Sequence, residues 1–381
     1  MTTACDYTML RRNCAEALAA DQQFGAPWIR EAFERVPREV FAPPRAWLST
    51  RGEDGAYPFI NRATDPEAWA RAVYTHDRAL ITQINDGNTP GGQAAGGRLS
   101  SSLSSLRVVV RQLSHLDPQP GRRGLHIGTG SGYDSALLAE RVGARNVITV
   151  EVDHRLAAGA RRALDTAGYG DVQTVVGDGE HGWSHGAPYA WLLSTASAMR
   201  TPWAWIQQMA PGGVIVTPYR GLALVRLVVA DDGESASGPI VDAMAFMPLR
   251  GQRGRDVVDI RPVIDATMPR AEKLSTTTDL SVLGEILGAE LLFHILVHDA
   301  HVRFGETWWF QSRDASSWAA WKPTGHGRQW GPRRLLDEAE AAVTAWREAG
   351  EPDLTDLGVT VRPDEDRLWA GRGDGPSWLV T

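Results

Sequence analysis

The chain has 381 residues, of which 43% are hydrophobic and 22% charged, and its formal net charge is −7 at pH 7. This acidic balance argues against a broad nucleic-acid-binding surface, and no apolar run approaches the ~20 residues of a membrane span. Two cysteines, Cys5 and Cys14, are too few for a disulfide framework or a four-cysteine zinc site, so we expect a cytoplasmic protein.

The first 70 residues predict a helical N-terminal segment. Apolar side chains between Leu18 and Val36 recur at helical spacing, and Pro37 and Pro43 are typical places for a helix to stop. A stretch rich in glycine and serine follows at 85–106. A loop of that length is typical of either a functional flap or a disordered link.

From residue 107 onward, strand and helix patterns alternate. Short β-branched runs are followed by alanine-rich helical runs that end at a glycine, such as Gly143 or Gly168. This alternation predicts a parallel sheet covered by helices on both faces. We therefore expect residues 71–250 to form a Rossmann-like, doubly wound α/β domain, after an N-terminal helical segment over 1–70.

The rhythm breaks beyond residue 250, where residues 251–381 predict an appended, tryptophan-rich α+β domain. The predicted elements are strands or a meander over 289–305 and 306–321, a helix between Pro332 and Gly350, and a hairpin over 357–371. No repeat period is detectable.

Three histidines in this extension have the spacing of metal ligands on a helix. His294, His298 and His301 would then share one face. Strand alternation describes the same segment equally well and would separate His301 from the other two. The sequence contains no H-E-x-x-H pattern, and we predict no metal site.

The glycine-rich segment GLHIGTGSG (124–132) is the first candidate site. Gly128, Gly130 and Gly132 come between a predicted strand and a predicted helix, where glycine permits a tight turn whose N–H groups face a ligand. Their spacing matches neither the dinucleotide fingerprint nor the phosphate loop. It favours a ligand with a ribose and an amino-acid end but no pyrophosphate; a plain strand–helix turn is the alternative.

Two acids at the ends of the next strands fit such a ligand. Glu151 ends the second strand, where a carboxylate can accept both ribose hydroxyls. Asp178 ends the third, where it can accept from an adenine amino group. Each acid alone is an ordinary loop residue. Together they favour a nucleoside-binding crevice at a topological switch point.

These motifs, in this order, resemble the protein-L-isoaspartate O-methyltransferase family. The matching segments are IREAFERVPREVFAP (29–43), LHIGTGSGYDSALLAERVG (125–143), VITVEVD (147–153), and the stretches 175–197 and 201–218. The C-terminal pieces, such as 331–350 and 357–371, resemble the extension of a bacterial branch of that family. That branch is often encoded with ribosomally made, modified peptides of the lanthipeptide or graspetide type.

The resemblance implies a class I methyltransferase fold, S-adenosylmethionine as methyl donor and a side-chain carboxylate as acceptor. The residues it implies for donor binding are Gly128, Thr129, Gly130 and Gly132, Glu151 for the ribose, Asp178 and Gly179 for the adenine, and Thr195. Ser102, with Ser101 beside it, matches the serine that meets the reacting carboxylate in this family.

Two positions depart from the family pattern. His126 stands where the family usually has an acid. The resemblance implies that this acid contacts the amino group of the donor's methionine part through a water molecule, so that contact would change here. Ala190 and Trp191 stand where an Asp-Arg-like pair is usual, which removes a contact at a strand end. A buried histidine is in general more often a hydrogen-bonded core residue than a ligand.

The chemistry that the resemblance implies needs alignment more than a base. An acceptor carboxyl with a pKa near ~4 is already ionised, so Ser102 need only hold it in line while 85–105 excludes water. We predict a methyltransferase that esterifies an aspartyl side chain of a modified, cyclic precursor peptide, which then forms a succinimide or isoaspartate. The alternatives are repair of isoaspartyl residues in damaged proteins, a small-molecule carboxylate acceptor, and a non-catalytic cofactor- and peptide-binding protein. We expect no nucleic-acid or membrane partner.

Overall fold

The computed structural model describes residues 5–92, 94–254, 258–298, 300–303, 305–371 and 375–380. The chain forms two compact units. The first comprises Met1–Gly233 and Met244–Gly251, and the second comprises Glu234–Ala243 and Gln252–Thr381. Residues 234–243 therefore belong with the C-terminal part, whereas the sequence placed all of 71–250 in one domain.

The helices follow from apolar stripes and recognisable caps. They are α1 (Tyr7–Ala20), α2 (Pro27–Arg35), α3 (Arg38–Phe41), α4 (Pro66–Val73), α5 (Leu106–Leu116), α6 (Tyr133–Val142), α7 (His154–Thr166), α8 (Trp203–Gln207), α9 (Arg261–Thr267), α10 (Val282–Glu285), α11 (Leu287–Leu296) and α12 (Leu335–Glu348). Across the described ranges, no helix has the length and apolar character that a membrane crossing requires.

The strands pair in both antiparallel and parallel arrangements. They are β1 (Arg45–Leu48), β2 (Phe59–Asn61), β3 (Leu80–Ile84), β4 (Leu99–Leu103), β5 (Gly124–Ile127), β6 (Val147–Glu151), β7 (Gln173–Val176), β8 (Tyr189–Ser194), β9 (Met209–Tyr219), β10 (Ala223–Val229), β11 (Ala236–Ala243), β12 (Glu272–Ser275), β13 (Ala300–Arg303), β14 (Trp308–Ser312), β15 (Trp318–Trp321), β16 (His326–Trp330), β17 (Leu357–Val361), β18 (Asp366–Ala370) and β19 (Ser377–Val380).

The main sheet of the first unit has the predicted doubly wound order. Its strands run β10-β9-β8-β5-β6-β7, with β5 to β9 parallel and β10 antiparallel. All residues of β5 and β6 are buried, as expected for strands covered on both faces. Because the chain leaves β5 towards β6 and later returns to its other side through β8, the switch point lies at the carboxyl end of β5.

The N-terminal segment, predicted to be helical, contains helices α1 to α4 and also contributes strands to a second, antiparallel sheet in the first unit. Its order is β2-β1-β3-β4, so two of its strands lie within residues 1–70. The glycine- and serine-rich stretch 85–106 also ends in a strand, β4. These strands have only three to five residues, too few to show a clear alternation of apolar and polar side chains.

The second unit combines two antiparallel strand sets with helices. One set has the order β11-β17-β18-β19 and the other β12-β16-β15-β14-β13. The hairpin over 357–371 is present as β17 and β18. The strand predicted at the start of 289–305 is wrong, because Leu287–Leu296 form helix α11. This helix is buried on nearly all sides, and its sequence therefore lacks the polar face that marks a helix.

Candidate functional site

A tight glycine turn closes the carboxyl end of β5. Gly128, Gly130 and Gly132 have φ angles of 86°, 54° and 92°, a region that disfavours any residue with a Cβ atom. Gly132 is the N-cap of α6, so the turn leads directly into that helix. The position of a Gly130 Cβ is bordered only by the carbonyl oxygens of Ser102 and Gly128, at 3.8 and 3.9 Å. The turn thus leaves room for a ligand beside its backbone.

Glu151, at the end of β6, is held by two backbone groups. Its Oε2 accepts a hydrogen bond from the N–H of Gly130 at 2.9 Å, and its Oε1 accepts one from the N–H of Asp153 at 3.0 Å. Glu151 is 7% exposed, and burial raises the pKa of its carboxyl although both hydrogen bonds oppose that shift. Each oxygen keeps lone-pair capacity, so the carboxylate can also accept the hydroxyls of a sugar.

Asp153 caps α7 and joins the same cluster. Its Oδ1 accepts from the backbone N–H groups of Arg155 and Leu156. Its Oδ2 accepts from Nε2 of Gln83 at 2.9 Å and lies 3.7 Å from Nη2 of Arg250. Burial alone would raise the pKa of this carboxyl, but the hydrogen bonds and the charge of Arg250 outweigh burial and lower it. The Asp153 side chain is therefore an anion at neutral pH.

Asp178 and Gly179 follow β7, the strand next to β6. Asp178 is half-buried, and its Oδ1 accepts from the N–H of Glu180 at 3.0 Å. A Cβ on Gly179 would stand 2.5 Å from Cγ2 of Ile127, so only glycine allows this approach to the end of β5. Val152, which follows β6, is 38% exposed. Apolar surface therefore adjoins the acids at the carboxyl ends of these strands.

The two predicted serines occupy different environments on β4. Ser102 is half-buried and lies beside the glycine turn through the carbonyl contact at Gly130. Ser101 is 8% exposed, and its hydroxyl accepts a hydrogen bond from Oγ1 of Thr82 at 3.0 Å. Because side chains alternate along a strand, the two hydroxyls point to opposite faces. Ser102 is thus better placed to meet a ligand at the turn.

His126, on β5, is a fully buried member of a hydrogen-bonded network. Its Nδ1 lies 2.8 Å from Oγ of Ser135 and 3.1 Å from Oγ1 of Thr149, and its Nε2 lies 3.2 Å from Oγ1 of Thr195. The Thr195 hydroxyl donates to the carbonyl of Gly128 at 2.7 Å. Thr195 must therefore accept from Nε2–H, which leaves Nδ1 as the acceptor. Burial lowers the pKa of His126 to about 3, so a neutral imidazole supports the turn.

Thr129 supports the turn from the interior. It is 2% exposed, and its hydroxyl lies 2.7 Å from that of Thr149. Its backbone N–H donates to the carbonyl of Val150 at 3.3 Å. The Thr129 side chain is thus engaged within the protein, whereas Thr195 is half-buried after β8.

The three histidines of the extension occupy separate settings. His294 lies on α11 with its Nε2 3.8 Å from Oε1 of Glu290. His298 follows that helix, and the side chain of His301 lies outside the described structure. Within the described part of the chain, no group of three or more His, Cys, Asp or Glu side chains is arranged to hold a metal ion.

Sequence reasoning missed three polar residues of this site: Gln83, Asp153 and Arg250. Asp153 has a recognisable signal, since an aspartate directly before a helix is a typical N-cap. Arg250 lies in a short basic stretch that the sequence suggests is a linker, yet its Nη2 lies 3.1 Å from Oδ1 of Asp86. Gln83 belongs to a separate sheet, and no local pattern marks it.

Comparison with known proteins gives a consistent result. The family model described as protein-L-isoaspartate(D-aspartate) O-methyltransferase matches residues 71–254. A protein-L-isoaspartate O-methyltransferase of Aeropyrum pernix is 35% identical over 254 residues, which cover 65% of this chain and 82% of that protein. The protein-L-isoaspartate O-methyltransferase 2 of Archaeoglobus fulgidus is 35% identical over 252 residues, which cover 65% of this chain and 96% of that protein.

A solved structure of a protein-L-isoaspartate O-methyltransferase shares the fold. It matches with a TM-score of 0.53 at 18% sequence identity and covers 95% of this chain and 100% of the other. The family model ends at residue 254. The similarity in fold therefore extends beyond the family model, into the C-terminal unit.

Proposed function

This chain belongs to the protein-L-isoaspartate O-methyltransferase family, and from that premise we propose that it transfers a methyl group from S-adenosylmethionine to an aspartyl-type carboxylate of a peptide or protein. The observation that carries the proposal is a meeting of three parts of the fold. The glycine turn, the Glu151 carboxylate bonded to it and the Ser102 strand beside it lie together at the switch point of the sheet.

The residues at this edge fit the methyl donor. Glu151 would hold the ribose, because hydroxyl donors compensate a buried carboxylate whose oxygens keep free lone pairs. Asp178 and Gly179 would hold the adenine next to the exposed side of Val152. The glycine turn and Thr195 would line the methionine end. When bound, this donor supplies an electrophilic methyl group on a sulfonium.

The chain's own task is then to align and shield the acceptor. In the reaction, a carboxylate oxygen forms a bond to the methyl carbon while the carbon–sulfur bond breaks, and that electron pair stays on sulfur. No proton moves, since an aspartyl carboxyl with a pKa of about 4 is already ionised. Ser102 would donate a hydrogen bond that keeps the carboxylate in line.

Two acceptors fit this site, and we place the isoaspartyl residue first. Its methyl ester is activated toward the neighbouring backbone nitrogen, so it closes to a succinimide that opens again to aspartate or isoaspartate. The relatives' names describe this acceptor. The second acceptor is an aspartate of a modified, cyclic precursor peptide.

The C-terminal unit offers one argument for the modified-peptide acceptor and one for the isoaspartyl acceptor. Most of it lies beyond the family model, which favours the modified peptide because a minimal repair enzyme has no evident need of an added unit. Against this, the fold match to a protein-L-isoaspartate O-methyltransferase covers 95% of the chain. An added unit of this kind is therefore compatible with the isoaspartyl acceptor.

Calorimetry and a matched peptide set test the proposal. We expect S-adenosylhomocysteine to bind, and a linear isoaspartyl peptide to be methylated in preference to the same peptide with aspartate. Preference for a cyclic aspartyl peptide over both linear ones would establish the second acceptor instead. No binding of S-adenosylhomocysteine would exclude both and leave the chain without a methyltransferase function.

A further inference from the structure

The acceptor strand is tied to the donor site through a buried glutamine. Gln83 lies on β3 opposite Ser101 of β4 and is 7% exposed. Its Oε1 accepts a hydrogen bond from Oγ of Ser100 at 3.0 Å, and its Nε2 donates to Oδ2 of Asp153 at 2.9 Å. One side chain thus joins the strand that carries Ser102 to the cap of α7.

Chemistry fixes the orientation of this amide. The Asp153 carboxylate can only accept, so the NH₂ group of Gln83 must face it. The Gln83 oxygen then faces Ser100, whose hydroxyl donates to it while accepting from the N–H of Asp86 at 2.9 Å. Both ends of the amide are satisfied in one arrangement, and the reverse arrangement would place two oxygens together at Asp153.

The bridge continues directly into the ribose side of the site. The N–H of Asp153 donates to Oε1 of Glu151, and Oε2 of Glu151 accepts from the N–H of Gly130. Gly130 in turn lies beside the carbonyl of Ser102. A chain of hydrogen bonds therefore runs from the acceptor strand through Gln83, Asp153 and Glu151 to the glycine turn, which itself lies close to the acceptor strand.

The guanidinium of Arg250 adds a positive charge to this hydrogen-bond network. Nη2 of Arg250 lies 3.1 Å from Oδ1 of Asp86 and 3.7 Å from Oδ2 of Asp153. Asn85 and Asp86 belong to the turn between β3 and β4. Their φ angles are 52° and 53°. Asparagine and aspartate tolerate this region better than other residues with a side chain. The ion pair of Asp86 with Arg250 and the hydrogen bond from its N–H to Ser100 hold the turn against the same network.

The geometry points to Gln83 as a positioning residue that couples the donor site to the acceptor strand. This inference rests on the proposed function, because it assigns Glu151 to the donor and Ser102 to the acceptor. Binding at Glu151 then stabilises strands β3 and β4 through Asp153 and Gln83. Without the bridge, the donor would still bind, but the acceptor carboxylate would be poorly aligned, and misalignment of about 1 Å costs on the order of 100-fold in rate.

Gln83→Met tests the bridge, because methionine keeps the length of the side chain and removes both polar ends. Gln329→Leu is the matched control: Gln329 is a 3% exposed glutamine on β16 that also donates to an aspartate, Oδ1 of Asp337, at 2.9 Å. Ser100→Ala serves as a milder second variant, since it removes the hydroxyl that donates to Gln83 and leaves the hydrogen bond between Gln83 and Asp153 in place.

Hydrogen exchange with and without S-adenosylhomocysteine, calorimetry and methyl-transfer kinetics supply the readouts. In the wild type, S-adenosylhomocysteine should slow exchange across 80–103. In Gln83→Met the affinity should stay within about threefold, while the protection of 80–103 disappears and kcat falls about 10- to 100-fold. Ser100→Ala should lose part of the protection and part of kcat. Gln329→Leu should match the wild type in affinity, protection and kcat.

The outcomes separate the inference from the proposed function. If Gln83→Met keeps the ligand-induced protection and the wild-type kcat, the bridge has no positioning role. If Gln83→Met does not fold, the same result for Ser100→Ala leads to the same conclusion. If the wild type shows the protection and the variant loses it, but no aspartyl-type peptide is methylated, the bridge stands and the proposed acceptor is wrong. If S-adenosylhomocysteine neither binds nor protects 80–103 in the wild type, both fall.

Discussion

His126 is held at both ring nitrogens in a fully buried position on β5. A second ring proton would remove the acceptor for Ser135 and place an unpaired charge in the interior. The imidazole therefore supports the glycine turn by hydrogen bonding through Thr195. The family resemblance predicts an acid at the position of His126. Support of this kind does not depend on charge.

This network makes a prediction about acid stability. The unfolded chain protonates His126 near pH 6.5, whereas burial lowers its pKa to about 3 in the folded chain. The unfolded state then binds more protons below pH 6.5, so the free energy of unfolding falls as the pH falls. Between about pH 7.5 and about pH 5.5, His126→Gln should lose about 1 kcal/mol less than the wild type. Urea denaturation at both pH values measures this difference, and equal losses would contradict a neutral His126.

Glu151 allows a second prediction at the same scale. Glu151→Gln replaces a charged acceptor of two hydroxyls by a neutral amide, which should weaken S-adenosylhomocysteine binding about 10- to 100-fold because hydrogen bonds to charged groups contribute about 1.5–3 kcal/mol. The control is Asp165→Asn, which removes an exposed carboxylate from α7. Calorimetry should show wild-type affinity for the control. Wild-type affinity for Glu151→Gln as well would remove Glu151 from the ribose site.

The backbone conformation of the turn between β5 and α6 decides which residues it tolerates. A Cβ on Gly128 would stand 2.9 Å from Oγ1 of Thr195, at a φ of 86°. By contrast, Gly159 lies within α7, and nothing stands within 4 Å of the position of its Cβ. The two glycines should therefore respond to alanine in opposite directions.

We expect Gly128→Ala to destabilise the protein by about 1–2 kcal/mol, because a left-handed backbone is costly for alanine, and to weaken S-adenosylhomocysteine binding. Gly159→Ala should stabilise it by about 0.5–1 kcal/mol, because alanine loses less backbone freedom in a helix. Thermal and urea denaturation measure both changes. A shift in the same direction for both variants would contradict the conformational argument.

Elements with clear local signals were predictable from sequence, and those that depend on distant partners were not. The parallel strands β5, β6 and β8 are short and largely apolar, so their alternation with capped helices reveals the sheet. Helix α11 lacks a polar face, and the strands β1 and β2 have too few residues to show a period. These elements gain their form from tertiary packing.

The same distinction applies to the site. Glu151 and Asp178 follow predicted strands, so the topology alone brings them to one edge of the sheet. Gln83 and Arg250 come from other parts of the chain and reach Asp153 only after folding. Trp191, where the family resemblance predicts one member of an Asp-Arg-like pair, is 2% exposed, and its ring occupies the place of a Gly124 side chain. This complementarity of size is invisible in either residue alone.

At the scale of the whole molecule, the two units are interleaved along the chain. Residues 234–243 leave the first unit, and residues 236–239 of β11 pair with 358–361 of β17 before the chain returns at Met244. A chain cut after Gly251 keeps β11 but loses β17, its neighbour within the second unit. An unpaired strand edge promotes association with other chains.

We therefore expect the 1–251 fragment to aggregate or elute as an oligomer in size-exclusion chromatography. The control is the full chain, in which residues 236–239 pair with 358–361. It should be less prone to associate than the fragment. Equal behaviour of the fragment and the full chain would show that this pairing does not prevent association.

The most direct test of the central claim is transfer of an isotopically labelled methyl group from S-adenosylmethionine to a linear isoaspartyl peptide. The label should appear in the peptide as an ester that mild base releases as methanol, in equal amount to the S-adenosylhomocysteine formed. Ser102→Ala should lower the rate about tenfold or more while leaving affinity for S-adenosylhomocysteine within about threefold, because alignment of the acceptor is lost and the donor contacts remain. A wild-type protein that binds S-adenosylhomocysteine but leaves isoaspartyl and aspartyl peptides, linear or cyclic, without base-labile label would contradict the assignment as a carboxyl methyltransferase.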